Sequence, residues 1–143
     1  MDDKLKILYH GSPRKLIGNK LLPKQAKDID KTLENNQKGI YATDIKNIAI
    51  LKALVSSKGV HGASFASSKK GVYGIIYKGW PNQKQIYLHY VPYENFQQTG
   101  ENTHQYISKK PVKPIKTEIL KIKDYLYLIR KASEQEMKKE LKI

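Results

Sequence analysis

The sequence predicts an α+β fold, a mixed sheet with one or two helices, spread as one domain over residues 1–143. Two observations carry this. Short β-rich runs recur along the chain while helical spacing shows only in one internal segment and near the end, and no strand–helix–strand unit repeats. At 143 residues and 16.4 kDa the chain has the usual size of one domain and is long enough to bury a core.

Taken in order, Lys6-Ile7-Leu8-Tyr9 reads as a buried strand stopped by Gly11 and Pro13. Residues 13–38 are polar, Lys-rich and interrupted by Gly18 and Pro23, so they read as a long surface loop. Gly39 to Ala42 is a short strand. Asp44 suits the N-cap of a helix whose Ile45, Ile48, Ala49, Lys52 and Ala53 fall at helical spacing. Ser56 to Lys70 is small, polar and Gly-containing and reads as another loop. Val72–Tyr77 and Ile86–Val91 are β-rich, with Gly79-Trp80-Pro81-Asn82 between them supporting a hairpin-like reversal. Gln105 to Ser108 and Val112 to Ile122 give the last strands, Pro111 and Pro114 favouring an edge or a bulge. Ser133-Glu134-Gln135-Glu136 reads as the cap and first turn of a C-terminal helix ending in lysines.

Composition removes several function classes. With no cysteine there are no disulfides, thiolate metal sites or cysteine nucleophiles. No run approaches the ~18 apolar residues that span a bilayer, and Met1-Asp2-Asp3-Lys4 lacks a charged-then-apolar leader pattern. The expectation is a cytoplasmic protein without a membrane span. The net charge of +14 favours polyanionic partners, nucleic acid included. Only Arg14 and Arg130 are arginines, however, and a lysine-dominated surface lacks the planar fork that reads phosphates and bases best. A solvated compositional bias therefore stands level with nucleic-acid affinity.

Three short blocks carry chemistry. The first is Leu8-Tyr9-His10-Gly11-Ser12, where His10 follows an apolar strand. A lone histidine there is most simply one whose ring nitrogens are satisfied at a strand end. Gly11 adds something, because a backbone without Cβ lets a ligand use its N–H and C=O as a paired donor and acceptor. A carboxamide such as that of nicotinamide presents the complementary pair. The second block is Gly39-Ile40-Tyr41-Ala42-Thr43, whose small neighbours leave a face of Tyr41 open for stacking; with ten tyrosines in the chain, an ordinary core aromatic is the plain alternative. The third is His104-Gln105-Tyr106-Ile107-Ser108, in which alternation sets Gln105 opposite Tyr106, and a solvated edge residue is its plain reading. His61, His89 and His104 show no metal-type spacing, so no metal site is expected and satisfied or exposed imidazoles are.

In this order the blocks resemble the three signatures of the ADP-ribosyltransferase fold. The clade is the His-Tyr-Glu one that includes diphtheria-type toxins and poly(ADP-ribose) polymerases. Compact size and the run Ile107-Ser108-Lys109-Lys110-Pro111-Val112 look like the small bacterial enzymes that ADP-ribosylate rifamycin antibiotics. The resemblance runs from Leu8 to about Lys121 on around a dozen specific positions. It implies a mainly antiparallel split sheet with few helices, and NAD as co-substrate. It implies that His10 bonds the adenosine ribose with Ser12 as a weaker helper, that the Gly11 backbone holds the nicotinamide amide, and that Tyr41 stacks on the nicotinamide ring. Gln105 stands where the family has its catalytic Glu. Gln orients a ribose hydroxyl but offers a dipole in place of a charge, which argues against polymer elongation and leaves single transfer to an unspecified acceptor. Glu101 is a substitute carboxylate if the register shifts. Arg14, which comes after Gly11 and Pro13, fits poorly the clade that needs a strand-borne Arg in the first block. NAD-dependent removal of a 2′-phosphate from RNA and a non-catalytic, nucleic-acid-binding member of the fold are the alternatives.

Overall fold

A computed structural model describes residues 6–25, 38–100 and 103–141. Among the described residues the chain is α+β, with two sheets that are antiparallel except at one strand pair, and two α-helices. The strands are β1 (Ile7–Ser12), β2 (Lys24–Gln25), β3 (Lys38–Thr43), β4 (Val60–Ser68), β5 (Gly71–Gly79), β6 (Gln85–Pro92), β7 (Gln97–Gln98), β8 (Gln105–Ser108), β9 (Lys116–Lys121) and β10 (Ile129–Lys131). The helices are α1 (Lys46–Val55) and α2 (Glu134–Leu141).

The large sheet runs β7-β8-β3-β1-β6-β9, with β2 added beside β3. The small sheet runs β10-β5-β4, and its β10–β5 pair is parallel. Strand alternation sends apolar side chains to both faces of the large sheet, so both need cover. On one face α1 is the cover: Ala49, Ile50, Leu51, Ala53 and Leu54 are buried against Ile86 and Leu88 of β6 and Ile76 of the small sheet. On the other face Leu8, Ile40, Ala42, Val91 and Tyr106 form a second cluster, closed by Leu21 and Val112. Leu21 and Val112 also bond backbone to backbone (Leu21 N to Val112 O 2.7 Å, Val112 N to Leu21 O 3.0 Å), which pins the otherwise irregular segment after β1.

Several expectations need correction. Residues 60–68 form β4, not loop: their small side chains carry little strand propensity, but eight register pairs with β5 supply the order that propensity lacks. Gly79–Asn82 makes no hairpin: Gly79 ends β5, Trp80 N and Asn82 N bond to the Gly59 and Lys58 carbonyls at 3.1 and 2.6 Å, the chain bends only at Gln83–Lys84, and β5 and β6 lie in different sheets. Asp44 does not cap α1. Thr43 Oγ1 accepts the Ile45 N–H at 3.1 Å, while Asp44 turns to His104, 3.0 Å away. Of the predicted helical stripe, Ala49 and Ala53 are buried and Ile45, Ile48 and Lys52 are half-buried, because both α1 flanks meet sheet. Val112 makes an isolated bridge, and the last strand of the large sheet starts at Lys116, beyond Pro114 and on the sheet edge. The capping box at Ser133 stands as read: Ser133 Oγ accepts the Glu136 N–H at 3.1 Å and Glu136 Oε1 accepts the Ser133 N–H at 2.8 Å. Among the described residues no helix is long and apolar enough to cross a membrane.

Candidate functional site

The three blocks, far apart in sequence, lie on three neighbouring strands of the large sheet, β1, β3 and β8. β1 pairs with β6 over six residue pairs but with β3 in register at Tyr9–Thr43. β3 pairs in turn with β8 from Ile40–Ser108 to Thr43–Gln105. Alternation then sorts the side chains. His10 shares the face of Leu8 and Ala42. Tyr41 and Gln105 share the opposite face, which α1 covers in part.

His10 reaches Tyr41 through the backbone. Its Nδ1 lies 2.6 Å from the Tyr41 carbonyl oxygen. A carbonyl only accepts, so Nδ1 carries the proton of this bond. The ring also stacks on His89, centroids 5.9 Å apart and planes 24° apart. His10 and His89 are direct partners in the β1–β6 register.

A cleft of about 590 Å³ lies beside β1 and β3, within the usual size of small-molecule sites. His10, Ser12 and Tyr41 line it, and the segment after β1 contributes the cations Arg14, Lys15 and Lys20. A dinucleotide's pyrophosphate is a chemically suitable guest for such a wall. Ser12 is already engaged: its Oγ accepts the Arg14 N–H at 3.1 Å and lies 3.0 Å from the Arg14 carbonyl, so it shapes the turn that carries Arg14.

Gly11 and Gln105 lie off this cleft wall. A Cβ on Gly11 would fall 1.9 Å from the Ala49 carbonyl oxygen, so β1 and α1 meet there with no room for a side chain. Gln105 is half-buried and sits opposite Thr43, about 7 Å along β8 from Ile107, the partner of Tyr41. Its Oε1 accepts from Thr99 Oγ1 at 3.1 Å, and its backbone carbonyl accepts from Thr99 N at 3.0 Å. Glu101 lies outside the described residues.

Sequence reasoning missed two residues. His89 was expected to be satisfied or exposed; it is fully buried, with Nδ1 2.8 Å from Thr117 Oγ1 and Nε2 without a hydrogen-bond partner among the described residues. Burial and the neighbouring His10 pull its pKa down to about 4, so the ring is neutral at pH 7. The other is Glu118 on β9, which accepts from the Tyr90 hydroxyl and lies 3.4 Å from Lys46 Nζ. The Tyr90 bond and the lysine charge hold its carboxyl below the usual range. Period-2 reading of residues 116–121 sets Glu118 on the face away from Thr117, but nothing local reveals Tyr90 or Lys46 as partners. No three His, Asp or Glu side chains cluster as a metal site among the described residues.

Comparison with family models, curated proteins and solved structures finds no match for this chain.

Proposed function

We propose that this chain is an NAD-dependent mono-ADP-ribosyltransferase, cleaving the nicotinamide–ribose bond and passing one ADP-ribose to an acceptor. The observation that supports it most is the placement of the His10, Tyr41 and Gln105 blocks on adjacent strands, with His10 bonded to the Tyr41 backbone at a mainly apolar cleft to which Arg14, Lys15 and Lys20 also contribute. In this reading His10 Nε2 accepts a hydroxyl of the adenosine ribose, with Ser12 adjacent, and Arg14, Lys15 and Lys20 face the pyrophosphate. The Gly11 backbone holds the nicotinamide amide, and Tyr41 stacks on the ring. Gln105 orients the hydroxyl of the reacting ribose. Breaking the C–N bond releases neutral nicotinamide and leaves positive charge on the ribose. The nucleophile of the acceptor bonds to that carbon and loses its proton. Positioning and electrostatics supply such catalysis, and no covalent nucleophile is required.

The test is incubation of the protein with labelled NAD in its parent lysate, followed by measurement of nicotinamide release and of the fraction that takes up label. Label in a protein, nucleic-acid or small-molecule fraction identifies the acceptor class. No label and no nicotinamide removes the reading.

A second reading is favoured by one observation: Gln105 is held by Thr99 and lies off the cleft wall. It describes a basic, nucleic-acid-binding member of the fold with weak or no catalysis, and predicts steeply salt-dependent binding of DNA or RNA without nicotinamide release. RNA 2′-phosphotransfer ranks lower, since Arg14 is the sole arginine among the residues lining the cleft. Absence of phosphate release from a 2′-phosphorylated RNA dismisses it.

A further inference from the structure

We infer that His89 is a positioning residue of the His10 site, a buried imidazole that stacks on His10 and fixes the ring plane in which Nδ1 meets the Tyr41 carbonyl. The inference deepens the NAD-site reading, but its first test does not depend on that reading.

Position 89 is a core position. His89 is fully buried on β6, and Val91, on the same face, belongs to the second apolar cluster. Phe or Leu would fill such a place with no polar atom to satisfy, whereas His89 leaves Nε2 without a partner among the described residues. An imidazole supplies two things that those side chains lack together. Its flat face meets His10 at a centroid distance of 5.9 Å and 24° between planes. Its Nδ1 bond to Thr117 Oγ1, 2.8 Å, stops the ring turning about its own axis. β9 thereby holds His89, His89 holds the face of His10, and the Tyr41 carbonyl holds the edge. With its face and one edge set, His10 has one orientation in which Nε2 meets a ligand hydroxyl.

Two variants separate the stack from the clamp. His89→Phe keeps an aromatic face without the bond to Thr117. Thr117→Val removes the same bond at an exposed edge-strand position and leaves His89 in place. Long-range proton–nitrogen spectra of the ligand-free protein read the tautomer of His10. The wild type should show His10 protonated at Nδ1, and both variants should show a mixture of the two tautomers. NAD titration should then show about a threefold to tenfold rise in KM at unchanged kcat. Unchanged His10 tautomer in Thr117→Val, whose folding is not at issue, overturns the inference, as does a fall in kcat at constant KM. If the wild type neither binds NAD nor releases nicotinamide, the enzymatic reading fails, and the tautomer spectra alone decide the role of His89.

Discussion

The space where Gly11 would carry a side chain is occupied by the Ala49 carbonyl oxygen, 1.9 Å from an ideal Cβ. The block that carries His10 is thus fixed to α1 by backbone contact one residue further on. Gly11→Ala must push strand and helix apart, and should destabilise the protein by about 3 kcal/mol or more. A denaturant melt checks this, and an unchanged midpoint would show that β1 and α1 do not pack as described.

His89 gives stability a pH dependence. In the unfolded chain the ring takes a proton near the ordinary value of 6.5; in the fold it does so at about 4. Above pH 6.5 both states are neutral and nothing is lost. Between about 6.5 and 4 the unfolded state gains a proton that the folded state refuses, and stability falls by on the order of 3 kcal/mol. Equilibrium unfolding at pH 7 and pH 4 should show this loss, and His89→Phe should remove most of it.

Those two residues also mark how far the sequence was legible. β1, β3, β5, β6 and β8 announce themselves as apolar or β-branched runs, and the Ser133–Glu136 box announces α2, because these signals are local. β4 is silent, since Gly62, Ala63, Ser64 and Ala66 hold their place by pairing with β5 and not by their own preference. Gly79 and Pro81 mark the end of a strand, but that the chain then passes to the other sheet depends on pairing over the whole chain. The site divides similarly. His10, Tyr41 and Gln105 stand out by neighbouring residues. The burial of His89 does not, because alternation in Ile86–Val91 identifies two faces without showing that both are covered.

The α2 capping box is a discrete test of local design. Ser133→Ala removes the acceptor for the Glu136 N–H and should cost about 1 kcal/mol, seen as reduced helical signal and a lower Tm. Glu136, held at about 2 by Arg130 and by the Ser133 N–H, should keep its charge well below the ordinary carboxylate range. Its contribution is present above about pH 4.5 and lost as pH falls toward 2. Carbon NMR of the Glu136 carboxyl checks that order, and a titration near 4.5 would contradict it.

Gln105→Glu should raise nicotinamide release by about tenfold to a hundredfold, since a carboxylate stabilises the developing ribose cation where an amide offers only a dipole. The same change should leave the KM for NAD nearly constant. An unchanged or reduced rate would mean that Gln105, off the cleft wall and held by Thr99, does not act on the ribose.

Whether His10 and Tyr41 form an NAD site is decided by nicotinamide release from NAD by the wild type, His10→Ala and Tyr41→Ala. The wild type should release nicotinamide measurably, and each variant should show a fall of at least about a hundredfold. Full turnover in both variants would contradict such a site.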